Sequence, residues 1–192
     1  MKLIGLGGTN GSGKDTVAHM LEERHGWLFI SVTDLLREEA RNRGLEPSRE
    51  HLRTISSEWR SESGLGVLVQ RAALSYEQAS GYNGLVVASL RNPGEADAVH
   101  ELGGTVVWVD ADPKIRYDRI QAHLAERGRG AEDNKTFEQF VAEEQAEMQQ
   151  SGDATTLNMS AVRDRADMTI LNEGTDIEAF KDAAEELLKS YL

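Results

Sequence analysis

The chain has 192 residues, of which 39% are hydrophobic and 28% are charged, which is enough for one α/β domain with a full core. Its net charge of −12 disfavours nucleic-acid backbones and anionic membranes as partners, and the absence of cysteine excludes disulfides and thiol catalysis. The first apolar run is too short for a signal peptide, and no run approaches the roughly 18 residues of a membrane span. We therefore expect a cytoplasmic protein with a small-molecule partner, no nucleic acid and no membrane. The sequence leaves the oligomeric state open.

Along the chain, short apolar segments alternate with segments of helical spacing. Strands are predicted over residues 2–6, 27–32, 84–90, 105–109 and 167–171. Helices are predicted over residues 14–25, 48–63, 66–80, 93–102, 113–127 and 176–188, with one opened by Asp34 and another after residue 133. Strands separated by helices imply right-handed crossovers. The fold class is therefore α/β, a five-stranded parallel sheet sandwiched by helices.

The segment from Gly8 to Thr16 matches the phosphate-binding pattern G-x-x-x-x-G-K between the first strand and the first helix. Glycines let successive N–H groups point at phosphate oxygens, and a lysine adds a mobile cation. The pattern predicts a P-loop NTPase fold that binds ATP. The predicted nucleotide-binding residues here are Gly8, Asn10, Gly11, Ser12, Gly13, Lys14, Asp15 and Thr16.

One position departs from the general pattern. Asp15 stands where a serine or threonine usually follows the lysine, and the hydroxyl comes one residue later at Thr16. We expect Thr16 to contact phosphate and Mg²⁺. The role of Asp15 stays open, because a carboxylate beside a triphosphate must either point away or face the metal.

The order of motifs resembles that of P-loop nucleoside monophosphate kinases. Gly13-Lys14-Asp15-Thr16 is similar to the loop of phage deoxynucleoside monophosphate kinases, and Asp34-Leu35-Leu36-Arg37 is similar to Asp-Met-Leu-Arg of adenylate kinases. The chain also resembles a branch shared by archaeal genomes that is described as similar to dephospho-CoA kinase. The resemblance implies an acceptor-binding insertion over about residues 34–80 and a lid over about residues 119–150, both within one domain over residues 1–192.

The resemblance also implies roles for residues at the acceptor end. Asp34, Arg37 and Arg91 would face the acceptor, with the two arginines binding its phosphate. Asp34 as a helix N-cap and Arg37 as a solvated charge are the alternative. Ala88 stands where the related pattern carries a metal-binding acid, so the sequence leaves the source of that carboxylate open.

A third group of predicted residues lies towards the C-terminus. By the resemblance, Arg119, Arg127 and Arg129 would form an arginine lid over the triphosphate. Asn172 and Gly174 would lie against the adenine, although a strand-to-helix turn capped by Asp176 explains them as well. The acidic stretch 143–147 is predicted to be a solvated helix face.

The resulting hypothesis is ATP- and Mg²⁺-dependent phosphoryl transfer to a small molecule. A (deoxy)nucleoside monophosphate is the preferred acceptor, because Leu36 and Arg37 follow Asp34 as in adenylate kinases. Dephospho-CoA is the alternative acceptor, for which Asp34 would act as a base. A non-catalytic nucleotide-binding regulatory module is a third possibility, which Asp15 and Ala88 favour.

Overall fold

The computed structural model describes residues 1–124, 134–150 and 152–192. Its centre is a five-stranded sheet in which every neighbouring pair is parallel, in the order β2-β3-β1-β4-β5. The strands are β1 (Leu3–Gly8), β2 (Leu28–Ser31), β3 (Leu85–Leu90), β4 (Thr105–Asp110) and β5 (Met168–Leu171). The predicted five-stranded parallel sheet is confirmed.

In the described residues, eight helices lie between the strands and a ninth follows β5. These are α1 (Lys14–His25), α2 (Val32–Asn42), α3 (Arg49–Ser63), α4 (Val67–Gln78), α5 (Pro93–Glu101), α6 (Pro113–Ala122), α7 (Phe137–Met148), α8 (Met159–Arg163) and α9 (Ile177–Leu188). β1 and β3 are buried at every position, as expected for central strands covered on both faces.

Two hydrophobic clusters lie on opposite faces of the sheet. One joins the sheet to α2, α3, α4, α5 and α8, and includes Trp108. The other joins it to α1 and α9, and includes Trp27. Because helices cover both faces, the carboxyl ends of the strands open on one edge, where ligands bind in folds of this type.

The boundaries of two elements differ from the sequence prediction. α2 begins at Val32, directly after β2, with Ser31 in the N-cap position. Asp34 therefore lies in the first turn and is not the N-cap, and its carboxylate pairs with Arg37 instead. α6 ends at Ala122 rather than near residue 127.

The short helix α8 is absent from the prediction, because five residues are too few to show a helical period. Asn158 caps it by accepting a hydrogen bond from the Ala161 amide at 3.1 Å. Over the described ranges, every helix is too short or too polar to cross a bilayer.

Candidate functional site

The phosphate-binding loop, residues 8–14, leaves β1 and enters α1 with backbone angles that require glycine. Gly8 and Gly13 have φ values of +150° and +99°. A Cβ on Gly8 would lie 2.4 Å from the carbonyl oxygen of Val109, and one on Gly13 would lie 2.5 Å from Nδ2 of Asn172. Only glycine fits both the φ and the space, so the loop conformation is encoded by these two positions.

Polar groups of the loop are buried at the start of α1, where the helix N-terminus favours an anion. Lys14 is only 8% exposed. The Ser12 hydroxyl is buried, and none of the described residues gives it a hydrogen-bond partner. Glycines in left-handed conformations let main-chain N–H groups point at an anion, and the lysine beside them supplies a cation. The loop therefore fits a nucleotide phosphate.

A cavity of about 570 Å³ lies in front of this loop at the carboxyl edge of the sheet. It brings most of the predicted site residues together: its lining includes Asn10, Gly11, Gly13, Lys14, Asp15, Thr16, Asp34, Arg37, Arg91, Arg119, Asn172 and Gly174. Gly8 and Ser12 are buried and do not line the cavity. Arg127 and Arg129 lie outside the described residues.

Two side chains that sequence analysis did not single out for this purpose anchor the loop. Asp110, at the end of β4, accepts hydrogen bonds from Thr9 Oγ1 at 2.8 Å and from the Ala111 amide at 2.9 Å. Asn172 donates from Nδ2 to the carbonyl of Ser12 at 2.9 Å. The only sequence signal for the contact between Asp110 and Thr9 is that Asp110 directly follows a predicted strand.

Arg119 lies at the end of the cavity lined by the phosphate-binding loop, against the loop after β5. Its Nη2 donates to the carbonyls of Asn172 at 2.9 Å and Gly174 at 2.5 Å. Its Nη1 is buried and has no hydrogen-bond partner in the described part of the chain. Burial lowers the pKa of Arg119, against the opposing charge of Glu173. The guanidinium stays charged and holds the loop after β5 through Nη2.

The opposite end of the cavity is rich in arginine. Arg37 donates to Asp34 at 2.8 Å, and Arg91 follows β3 at the carboxyl edge of the sheet. The lining contains three further arginines on α3 that were not predicted to belong to the site: Arg49, Arg53 and Arg60. The sequence predicts the helix that carries them but not which way its faces point. Only the tertiary structure therefore shows that these arginines face the cavity.

The buried carboxylate of Glu95 links two of these arginines. Its Oε2 accepts from the Arg91 amide at 2.7 Å and from the Asn92 amide at 3.1 Å, while its Oε1 accepts from Arg60 Nη2 at 2.7 Å. Glu95 and Asn92 form a capping box at the start of α5. Asn92-Pro93-Gly94-Glu95 is a sequence signal for that box. It does not predict the contact with Arg60.

The end of β3 carries no metal-binding acid. Ala88 is fully buried and pairs with Leu6 and Ser31. Ser89 then bulges out of the ladder with a φ of +71°, and lines the cavity. Within the described ranges, no three histidine or acidic side chains are grouped closely enough to hold a metal by themselves. Two acids in the cavity lining, Asp15 and Asp34, keep more than half of their side-chain surface exposed.

The acidic stretch on α7 is not the solvated face that the sequence predicts. Glu144 forms a two-pronged ion pair with Arg116, whose side chain is almost fully buried. Glu147 accepts hydrogen bonds from Arg91 and Arg53. The prediction was wrong because the partners come from distant parts of the chain, which the local charge pattern does not reveal.

Comparison with known proteins supports this fold over nearly the whole chain. The profile of a family described as AAA domain matches residues 4–148. A UPF0200 protein of Pyrobaculum aerophilum is 30% identical over 190 residues, spanning 98% of this chain and 97% of that protein. A UPF0200 protein of Hyperthermus butylicus is 31% identical over 187 residues, spanning 97% and 92%.

Solved kinase structures share the fold at low sequence identity. Shikimate kinase from Bacteroides thetaiotaomicron superposes with a TM-score of 0.59 at 15% identity, covering 97% of this chain and 98% of that one. Shikimate kinase from Acinetobacter baumannii in complex with shikimate gives 0.53 at 18% identity, covering 99% and 92%. The fold is thus that of P-loop kinases, and the chain belongs to the AAA domain family and to the UPF0200 proteins.

Proposed function

We propose that this protein is an ATP- and Mg²⁺-dependent kinase that phosphorylates a small phosphorylated acceptor, preferably a (deoxy)nucleoside monophosphate. One observation carries the proposal: a single cavity joins the phosphate-binding loop to a group of arginine side chains. A phosphoryl donor at one end and an anionic acceptor at the other end would meet inside it. Phosphoryl transfer depends mainly on such alignment and on neutralisation of charge.

The loop supplies the donor end in this proposal. Loop amides and Lys14 would hold the β- and γ-phosphates, and Thr16 would hold Mg²⁺ together with phosphate oxygens and water, as that ion prefers. Bound MgATP supplies the transferable phosphoryl group and a metal that neutralises its charge. The backbone of Asn172 and Gly174 would lie near the base, with Arg119 fixing that loop.

The arginines supply the acceptor end. Arg37 and Arg91 would bind the acceptor phosphate, and their guanidinium groups suit two-pronged phosphate contacts. In this arrangement residues 1–192 act as one domain, residues 34–80 bind the acceptor and residues 119–150 form the lid. The proposed contributions of Arg127 and Arg129 to that lid fall outside the described residues.

Dephospho-CoA is a second candidate acceptor, favoured by the Asp34 carboxylate, which lines the cavity and is 67% exposed. A hydroxyl acceptor benefits from a general base, whereas a phosphate acceptor does not need one. With a nucleoside monophosphate, loss of Arg37 should therefore reduce transfer more than loss of Asp34. With dephospho-CoA the order should reverse.

A regulatory module that binds nucleotide without transfer is a third candidate, favoured by the buried Ala88 at the end of β3.

The test of the proposed function is an assay of ADP formation with each nucleoside monophosphate, each deoxynucleotide and dephospho-CoA. We expect acceptor-dependent ADP formation that Lys14→Ala reduces about 100-fold or more, as for loss of one transition-state donor. The control is Lys189→Ala, which removes an exposed ammonium paired with Glu186. ATP binding with no ADP formation for any acceptor would identify the regulatory module instead.

A further inference from the structure

Three arginine side chains converge on one carboxylate at the acceptor end of the cavity. Glu147 Oε2 accepts from Arg91 Nη1 at 3.1 Å, and its Oε1 accepts from Arg53 Nη2 at 3.3 Å. The same Oε1 lies 3.9 Å from Arg49 Nη1, which donates a hydrogen bond to Glu143 at 2.9 Å. All four side chains line the cavity. A carboxylate of the protein itself therefore lies among the cations that face the acceptor.

The carboxylate is more deeply buried than the two arginines that donate hydrogen bonds to it. Glu147 keeps only 14% of its side-chain surface exposed, whereas Arg91 keeps 33% and Arg53 keeps 56%. An incoming anion can thus reach the guanidinium groups without first unfolding a helix. The carboxylate reaches them from the last turn of α7, a separate element from α3 and from the end of β3.

A phosphate group satisfies this cluster better than a carboxylate does. Each guanidinium carries five N–H donors, while Glu147 offers two oxygens and one negative charge. A phosphate monoester offers three terminal oxygens and about two negative charges at neutral pH. Arginine also matches phosphate in planar, two-pronged geometry.

We propose that Glu147 is an internal substitute for the acceptor's phosphate: it occupies a subsite formed by Arg49, Arg53 and Arg91 until a phosphate dianion displaces it. The inference rests on the proposed function and adds Arg49 and Arg53 to the acceptor site. Displacement releases the last turn of α7. The middle of α7 stays attached, because Glu144 is held by Arg116, which also donates to the carbonyl of Asn10 in the phosphate-binding loop.

The first test measures binding of inorganic phosphate to the full chain by calorimetry, with ADP present to fill the phosphate-binding loop. An internal competitor lowers the apparent affinity by the fraction of time it occupies the site. We therefore expect Glu147→Gln to bind phosphate about tenfold more tightly than the wild type, which corresponds to Glu147 occupying the subsite about 90% of the time. Acetate, a monocarboxylate, should bind more weakly than phosphate in both proteins. Unchanged or weaker phosphate binding by the variant overturns the inference.

Two further variants locate the effect. Glu138→Gln removes the same charge from the first turn of α7, where the carboxylate interacts with Thr136, and it should leave phosphate affinity unchanged. Adding Arg53→Met to Glu147→Gln should cancel the gain. A gain that persists in the double variant places the phosphate elsewhere and contradicts the subsite.

A second measurement does not require a variant to fold. Hydrogen exchange of the wild-type amides in the last turn of α7 should become faster when phosphate is added, because Glu147 loses its partners. Slower or unchanged exchange in that turn counts against displacement.

If ADP formation never depends on Lys14 but Glu147→Gln still gains phosphate affinity, the subsite stands and the kinase proposal fails. If transfer depends on Lys14 but that gain is missing, the kinase proposal stands and the subsite fails.

Discussion

Asn172 and Ser12 are joined by a hydrogen bond of 2.9 Å, from the side-chain amide of the first to the main-chain carbonyl of the second. The contact links the loop after β5 to the phosphate-binding loop. The main-chain N–H of Asn172 in turn donates to the main-chain carbonyl of Asp110 at the end of β4. Gly13 leaves just enough room for the Asn172 side chain. The end of the cavity that contains the phosphate-binding loop is therefore fixed by three strand ends together.

Gly13→Ala should abolish nucleotide binding, because the new Cβ would lie 2.5 Å from Asn172 Nδ2 and push the loop out of place. Gly103→Ala is the matched control: Gly103 also has a positive φ, +74°, but nothing lies within 4 Å of its Cβ position. Both variants should lose about 1–2 kcal/mol of stability from backbone strain. Calorimetric titration with ADP distinguishes them, and similar ADP affinity in the two variants would contradict the close contact.

Glu95→Gln should lower the free energy of unfolding by about 3–5 kcal/mol, because it leaves the buried Arg60 guanidinium without its counter-charge. Asp97→Asn, on the same helix, removes a carboxylate that pairs with Arg165 while both side chains are more than a third exposed. That variant should lose less than about 1 kcal/mol. Urea denaturation measures both losses. A small loss for Glu95→Gln means that its ion pair does not organise the end of β3.

Ser89→Gly should stabilise the protein, because Ser89 has a φ of +71°, which glycine adopts without strain. The relief of about 1–2 kcal/mol is reduced by the greater freedom of glycine in the unfolded chain, so a net gain of about 0.5–1 kcal/mol is expected. Ser89→Ala removes the hydroxyl but keeps the strained backbone. Thermal unfolding should separate the two variants, and equal midpoints would argue against strain at this position.

The stability contributed by Asp167 should disappear in acid. Burial would raise its pKa, but hydrogen bonds from the Val106 amide and from His100 outweigh burial and hold the pKa below its usual value. A carboxyl whose pKa is depressed on folding stabilises the native state above its unfolded pKa, about 3.9, and this contribution is lost as the pH falls through the lower folded value.

Asp167→Asn should therefore be less stable than the wild type at pH 5, and the difference should vanish as the pH falls below about 4 towards 2. Denaturation curves across this range measure it. Glu101→Gln, which removes an exposed carboxylate at the end of α5, is the control with the same charge change. A wild-type advantage that persists at pH 2 would assign the effect of Asp167 to packing instead of charge.

The phosphate-binding loop and the sheet could be predicted because their signals are local. Glycines at fixed spacing before Lys14 specify a backbone conformation, and the strands read as continuous apolar runs. The order of the strands was not predicted, because right-handed crossovers are compatible with several orders. Helix boundaries were less exact, since Ser31 and Asp34 are both residue types that cap helices.

The arginine-rich end of the cavity could not be predicted in the same way. Glu147 looks like part of a solvated acidic stretch until the fold places it against Arg53 and Arg91, which lie 94 and 56 residues away in sequence. The pattern of charges along a helix does not by itself show which charged side chains are exposed to solvent and which are paired with a neighbouring element.

By itself, the sequence determined a parallel α/β sheet and a phosphate-binding loop at its first strand, because backbone conformation and apolar runs depend on adjacent residues. Only the tertiary structure decided which arginines face the cavity, that Glu95 links Arg60 to the end of β3, and that Glu147 occupies the arginine cluster. Ion pairs of this kind depend on distance in space, and long side chains such as arginine reach partners that no local pattern identifies.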